Sequence, residues 1–499
     1  MPLCSILARI PHNADSEGEA YSMDTRTHGK YLLIAFVSLA ATLLAVGCNS
    51  GATLTDSQST VTGPAFVVGT DAPMASVVSF TTQVQNVCAV TTASNTGVSE
   101  CVPLLSGTPT VDFARYNGLQ SLLDINSIRV GTYTQIEITV GAATIGYLNV
   151  PASGAPTIAT EAATYSSSAS TYTYTATLAA PLVVTQAGAP VGLRVDYDLR
   201  KSIGVDTNGN ITGAVTPTFD VSTVGTGDAG GYIDTLVASV VSVGTTSFVV
   251  QGPHGEQFTI DVTGTTEWEN SANGDGLSSL VAGSSIVEVS GILDRADQTL
   301  DADDVAILSQ SGFYAGGQVT YVTPASGAAT SFDLYVRGLL PTSTGLTLGE
   351  IATVDLSNDP KFFIYWMHNP VTELLFSSSS MMPGQHVSVG GPASGATNAS
   401  AVTVNRVVLR QWGFNGTVTA ASVSPAATGV TAFQMQINGF AGVLVPQTVT
   451  VYCVPDLKWR NGLTAMSDLK VGANVRVVGL LLNLSGKPVL VGHYVDALE

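Results

Sequence analysis

Positive charge is what this sequence has least of. Its 499 residues carry 18 Lys and Arg against 37 Asp and Glu, a formal net charge of −19, and only 11% of residues are charged at all. The basic residues are scattered and form no patch of the kind that grips a nucleic-acid backbone, so nucleic acid is excluded as an expected partner. A dilute acidic surface implies solubility and names no partner. Lys, Glu and Arg are scarce, whereas Gly, Ser, Thr, Ala and Val dominate. That balance depletes helix formers and enriches strand and turn formers.

Catalytic signatures are equally sparse. No Gly-x-Ser-x-Gly elbow is present. His254, His368, His386 and His493 fall at unrelated places, and no pair shows the spacing of a zinc site. No cofactor is implied. Asp206-Thr207-Asn208-Gly209-Asn210 begins like a calcium loop, but Gly stands fourth and no acid closes the loop, so a hairpin turn is expected. The densest acidic run holds Asp294, Asp297, Asp301, Asp303 and Asp304. Asp301, Asp303 and Asp304 are the weak metal candidates, set against a solvated acidic hairpin.

What is present begins with an apolar run, Tyr31 to Val46, preceded by Arg26 and Lys30. A basic segment followed by an apolar one is the plan of a secretory signal, and the run is short for a membrane-spanning helix. It ends in Leu44-Ala45-Val46-Gly47-Cys48, which resembles the lipobox of bacterial lipoproteins. The resemblance implies that Cys48 is lipidated and becomes the new N-terminus. Met23 is a candidate true start. Asn49 is not the Asp that retains such proteins at the inner membrane, so the outer membrane is expected. Of the other cysteines, Cys88 and Cys101 flank a turn-rich stretch and are a candidate disulfide in an oxidising compartment. Cys453, in an alternating run, is expected to be a buried strand residue.

The organisation is read as signal peptide 1–47, flexible tether 48–65, a first domain 66–225, and three repeats at 230–309, 314–410 and 413–499. The first domain alternates apolar and polar residues in SVVSFTTQVQNVCAV and TYTQIEITVGAATIGYLNV, as half-buried strands do. Its one candidate for a short helix or ordered turn is GLQSLLDI. Thr70-Asp71-Ala72-Pro73, Leu122-Leu123-Asp124, Gly131-x-Tyr133-x-Gln135-Ile136 and Val195-Asp196-Tyr197-Asp198 with Lys201-Ser202-Ile203 resemble, in that order, the family called domain of unknown function 4382. That name carries no activity.

The repeats share a plan. Each opens at Gly231, Gly317 or Gly416, continues through Phe248, Phe332 or Phe433, and passes an aromatic: Trp268, Phe363 or Tyr365, Trp459. Each then reads G-x-x-V-x-V-x-G, with Ser284 in place of the leading Gly in the first, and closes on Val305, Val407 or Val495. The pattern resembles the repeats called domain of unknown function 5666. Short strands with glycine corners predict small closed barrels of the oligonucleotide/oligosaccharide-binding (OB-like) kind. The second is expected to be distorted around FFIYWMHNPVTELLF.

The expected fold is therefore all-β: a β-sandwich-like domain followed by three OB-like barrels. The expected role is that of a membrane-anchored lipoprotein with a non-enzymatic binding, adhesion or envelope-structural function. The alternative is a carbohydrate-binding accessory lipoprotein, with Trp268 and Trp459 stacking on sugar rings rather than plugging barrel ends. A hydrolase site assembled only by folding in residues 66–225 ranks last, and convergent carboxylates in a cleft would revive an enzymatic reading.

Overall fold

The computed structural model describes residues 61–498 apart from 73–76, 93–98, 117–120, 150, 152–153, 166–169, 187–190, 208–210, 225–231, 253–256, 270–275, 294–298, 311, 342–343, 366–373, 426–428, 438–446 and 461. Residues 60–499 form one compact unit. Among the described residues, no helix is long and apolar enough to cross a membrane. The fold is all-β.

Two sheets make the N-terminal sandwich. One has the order Ser99–Pro103, Val77–Thr92, Gly131–Asn149, Thr157–Ala162, with Tyr172–Val184 also paired to Gly131–Asn149. The other has the order Phe219–Val224, Val191–Asp198, Thr62–Ala72, Ser121–Arg129. Their apolar faces meet in one core, with Phe80, Ile136 and Ile145 from the first sheet and Val67, Leu193 and Val195 from the second. Tyr172–Val184 alternates buried and exposed residues along much of its length, because one of its faces meets water.

The Val-Asp-Tyr-Asp motif turns a corner here. Tyr197 is fully buried among Phe80, Phe113 and Phe219, with ring centroids 4.9, 5.0 and 4.4 Å away. Asp198 caps the single helical turn Leu199–Ser202, accepting from Lys201 N at 3.1 Å. Two expectations are corrected. The strand Thr62–Ala72 begins inside the stretch read as tether, because its backbone pairs on both sides. Ser121–Arg129 is a strand rather than a helix or turn, since pairing with Thr62–Ala72 overrides local propensity.

The last sheet is a closed five-stranded barrel (barrel 3): Trp412–Val423, Thr431–Ile437, Gln447–Arg460, Lys487–Ala497, Asn474–Leu484, in spatial order. Gln447–Arg460 and Lys487–Ala497, its third and fifth strands along the chain, run parallel. The same order recurs in barrel 1, whose strands are Tyr232–Val243, Ser247–Gln251, Gln257–Asp261 with Glu267–Glu269, Ile286–Leu293 and Leu300–Ser309. Parallel pairing of Gln257–Asp261 to Leu300–Ser309 closes that ring. Barrel 2 repeats it with Phe313–Thr323, Ser331–Leu340, Ile351–Asp355 with Lys361–Ile364, and His386–Gly391. Its fifth strand is split into Val402–Thr403 and Arg406–Arg410, so it is irregular in the closing strand; most of the segment expected to be distorted, 366–373, lies outside the described residues.

Strand pairing fixes the repeat equivalences and moves three of those read from sequence. Ala238, Gly317 and Gly416 face Val287, Val387 and Val475, so the first repeat's opening residue is Ala238 and not Gly231. Gly283, Gly384 and Gly472 each have φ near +75 to +98° and each donate to the first strand, at Val240, Val319 and Val418 O. The leading glycine of the first repeat is thus kept, as Gly283, with one extra residue after it; Ser284 does not replace it. Trp268, Phe362 and Trp459 face Val305, Val407 and Val495. The second repeat's member is Phe362, because Phe363 is one residue out of register and a one-residue step changes the face.

Barrel 2 is the hub. Its first and fourth strands are buried on both faces, where a water-facing barrel wall would alternate. One apolar cluster runs from barrel 2 into barrel 3, a second joins Tyr314, Leu340 and Val408 to Val237, Ile286 and Leu308 of barrel 1, and Tyr335 packs on Val78 and Leu148 of the sandwich.

Candidate functional site

Because the outer face of barrel 2 is covered, the polar side chains on it, among them Arg337, His386 and Arg410, are withdrawn from water, and they line two adjoining cavities. The larger, about 450 Å³, lies where the sandwich meets the first two strands of barrel 2, with Trp412 of barrel 3 and Val237 of barrel 1 completing it. Its wall is mostly apolar, including Val336, Leu339, Leu340 and Trp412. Besides hydroxyl groups such as those of Thr81, Thr235 and Tyr314, its polar side chains are Asp112, Arg115, Arg337, His386 and Arg410.

Each polar group has a structural reason for its position. Arg337 continues the outward row of the second strand of barrel 2. It donates to Ala114 O at 3.0 Å and to Gln318 Oε1 at 3.3 Å, and its guanidinium lies 5.2 and 4.9 Å from the Tyr335 and Trp412 rings. Such stacking suits a weakly hydrated guanidinium better than an ammonium. Asp112 Oδ1 accepts from Phe80 N at 2.8 Å; burial pushes its carboxyl above the usual carboxylate range, against the pull of Arg337 and Arg115. The His386 ring stands 4.3 Å from Trp412 and its Nδ1 is 3.1 Å from Gln411 O. Burial, reinforced by Arg337 and Arg115, pushes it down to about 3, so it is neutral at ordinary pH.

Arg410 forms the partition. It donates to Tyr314 OH at 2.9 Å and pairs with Glu288 of barrel 1. Both partners are almost fully buried, so loss of either would strand the other's charge away from water. Burial pushes Arg410 down to about 9, which still leaves it charged at neutral pH.

Beyond the partition lies the smaller cavity, about 360 Å³, at the meeting of the three barrels. It is acidic, with Asp234, Glu267, Glu269, Asp303, Asp304 and Asp456 on its wall beside Glu288. Cations of the protein itself answer them: Lys458 lies 5.6 Å over the Tyr232 ring, and Arg410 6.0 Å from Tyr365. His493 Nδ1 is 2.7 Å from Gln411 Oε1, and burial pushes it down to about 4. Gln411 thus serves both histidines, one through its carbonyl and one through its side chain.

The residues singled out in the sequence are distributed as follows. Cys48, His254, His368, Asp294 and Asp297 lie outside the described residues. Cys88 and Cys101 are joined in a disulfide with Cα atoms 5.3 Å apart, and Cys453 is a buried free thiol. Trp268 and Trp459 are half-buried on equivalent strands, each packed on its own barrel's core, Trp268 with its ring 6.2 Å from Phe248. Asp301 is exposed on a strand, whereas Asp303 and Asp304 reach the acidic cavity, Asp304 accepting from Ser290 Oγ at 3.0 Å. Among the described residues, no group of three or more His, Cys, Asp or Glu is placed to hold a metal. Sequence reasoning missed Asp112, Arg115, Arg337, Arg410 and Trp412. The available signal was an arginine set among apolar strand residues, as Arg337 in DLYVRGLL and Arg410 in RVVLRQW.

Fold and site together define an all-β protein of a sandwich and three five-stranded barrels, folded around interior cavities. Residues 63–212 match the family described as "Domain of unknown function (DUF4382)". No curated protein matches the chain. A solved structure, "drosophila Unr CSD456", aligns at 10% identity over 53% of this chain and 97% of its own, with a TM-score of 0.13.

Proposed function

We propose that this chain is a non-enzymatic binding protein, lipid-anchored at Cys48 to the outer membrane, that holds a small ligand in the cavity between the sandwich and barrel 2. The cavity carries the binding part of this reading. At about 450 Å³ it has the volume of a small-molecule site, with a mostly apolar wall and a few convergent polar groups. The lipobox-like segment carries the address. Carboxylates do converge in the smaller cavity, but Lys458 and Arg410 already lie among them, and that is a reason to prefer binding over hydrolysis.

Two experiments test the proposal. Changing Cys48 to Ser should leave an unprocessed precursor that takes up no labelled fatty acid; unchanged processing and labelling would sink the anchor. For the cavity, the processed full chain in detergent is titrated calorimetrically with a neutral two-ring probe, naphthalene-2-sulfonamide, and the micelle-only heat is subtracted. A Cβ at Gly338 would stand in ordinary contact, 3.4 Å, with the Tyr314 ring, so Gly338→Phe fills the cavity from its wall. Saturable binding lost in a folded Gly338→Phe variant supports the reading. Absence of saturable binding to the wild type refutes it.

A further inference from the structure

The larger cavity has a charge opposite to that of the molecule. In a chain of net charge −19, its wall gathers Arg115, Arg337 and Arg410 against one carboxyl, Asp112. Arg410 is committed to Glu288 on the far side of the partition, and Arg337 is fixed between two aromatic rings and two acceptors.

Arg115 differs. It stands at the end of the short 3-10 turn Phe113–Arg115, half-buried, and its guanidinium lies 6.0 Å from the neighbouring Tyr116 ring. It makes no hydrogen bond and no ion pair among the described residues, Asp112 included. Its charge nevertheless acts on Asp112, His386 and Arg410, three other groups of the same wall. A guanidinium in such a setting retains its donors for a planar or tetrahedral anion, and water is a poor competitor where the wall is apolar. Val336, Leu339, Leu340 and Trp412 supply the complementary surface for a flat apolar body.

We propose that this cavity takes a compact organic acid, its apolar or aromatic body against Leu339, Leu340 and Trp412 and its anionic group on Arg115, with Arg337 as a fixed positive charge behind it. The inference rests on the cavity-binding reading and goes further by naming the ligand's chemistry. Carboxylate, sulfonate and phosphate heads share that chemistry.

The test compares two near-isosteric probes on the processed full chain in detergent, naphthalene-2-sulfonate and naphthalene-2-sulfonamide, by calorimetry. The sulfonate is expected to bind at one site about tenfold or more tighter than the sulfonamide. Arg115→Gln should weaken the sulfonate by about that factor and leave the sulfonamide unchanged, while Arg115→Lys keeps part of the preference. Arg115 is not deeply buried, so these variants are expected to fold, and a melting curve checks that they do. Equal affinities for the two probes, unmoved by Arg115→Gln, would overturn the inference and leave the cavity reading standing. Failure of both probes to bind would remove both.

Discussion

The residues that matter most here are polar groups held where polar groups are costly. His386 shows how this couples to pH. In the unfolded chain its imidazole takes up a proton near 6.5; in the fold it does so only near about 3. Between those values the unfolded state binds more protons, so stability falls as the pH drops through that window, by up to about 1.4 kcal/mol per pH unit. His493, pushed down to about 4, adds to the same trend. Asp112 works in the opposite sense: with its folded carboxyl raised, its contribution is full below 3.8 and is lost as the pH rises through the folded value. His386→Gln removes one of the two histidine contributions. The stability gap between wild type and this variant should therefore shrink from pH 6.5 to 4.5, as measured by guanidinium melts at each pH. Parallel pH profiles would show that His386 is not held neutral by its burial.

At the scale of the element, the barrels are built around a left-handed turn that enters the fourth strand. Gly472 has φ of +89°, and a Cβ there would meet nothing within 4 Å. Gly472→Ala should therefore cost only the backbone strain, about 1–2 kcal/mol. Gly479, further along the same strand, is constrained differently, because a Cβ there would run into the carbonyl of Val491 on the neighbouring strand. Gly479→Ala should be the more damaging of the two, since backbone must move. Denaturation midpoints of the two variants check this ranking. The motif G-x-x-V-x-V-x-G was legible because its valines alternate into the barrel and its glycines serve turn and close approach. The first repeat's extra residue after Gly283 was not, since the turn before Ile286 absorbs it and leaves Ala238 facing Val287.

At the scale of the whole molecule, the barrels are not independent beads. Barrels 2 and 3 share a single apolar cluster, and Gln385 of barrel 2 donates to Leu481 O of barrel 3 at 3.2 Å. Leu481→Ala should destabilise by about 2–5 kcal/mol. Because the core is shared, amide exchange should quicken in Phe313–Thr323 as well as in Asn474–Leu484. Loss of protection confined to barrel 3 would show that the two barrels open separately.

The sequence by itself determined the strand content, the three-fold repetition and the layers of Val and Phe inside each barrel. Those features are local: alternation and glycine placement mark which face is buried and where a strand must turn. It also marked Cys88 and Cys101 as candidate partners, because they flank a turn-rich stretch, and the two are bonded in the fold. Only the tertiary structure decided the site. Arg115 comes from the sandwich, Arg337 and His386 from barrel 2 and Trp412 from barrel 3, and no spacing along the chain relates them. Their meeting depends on barrel 2 burying its outer face against three neighbours, an outcome of packing between modules that no period of two or of one repeat can encode.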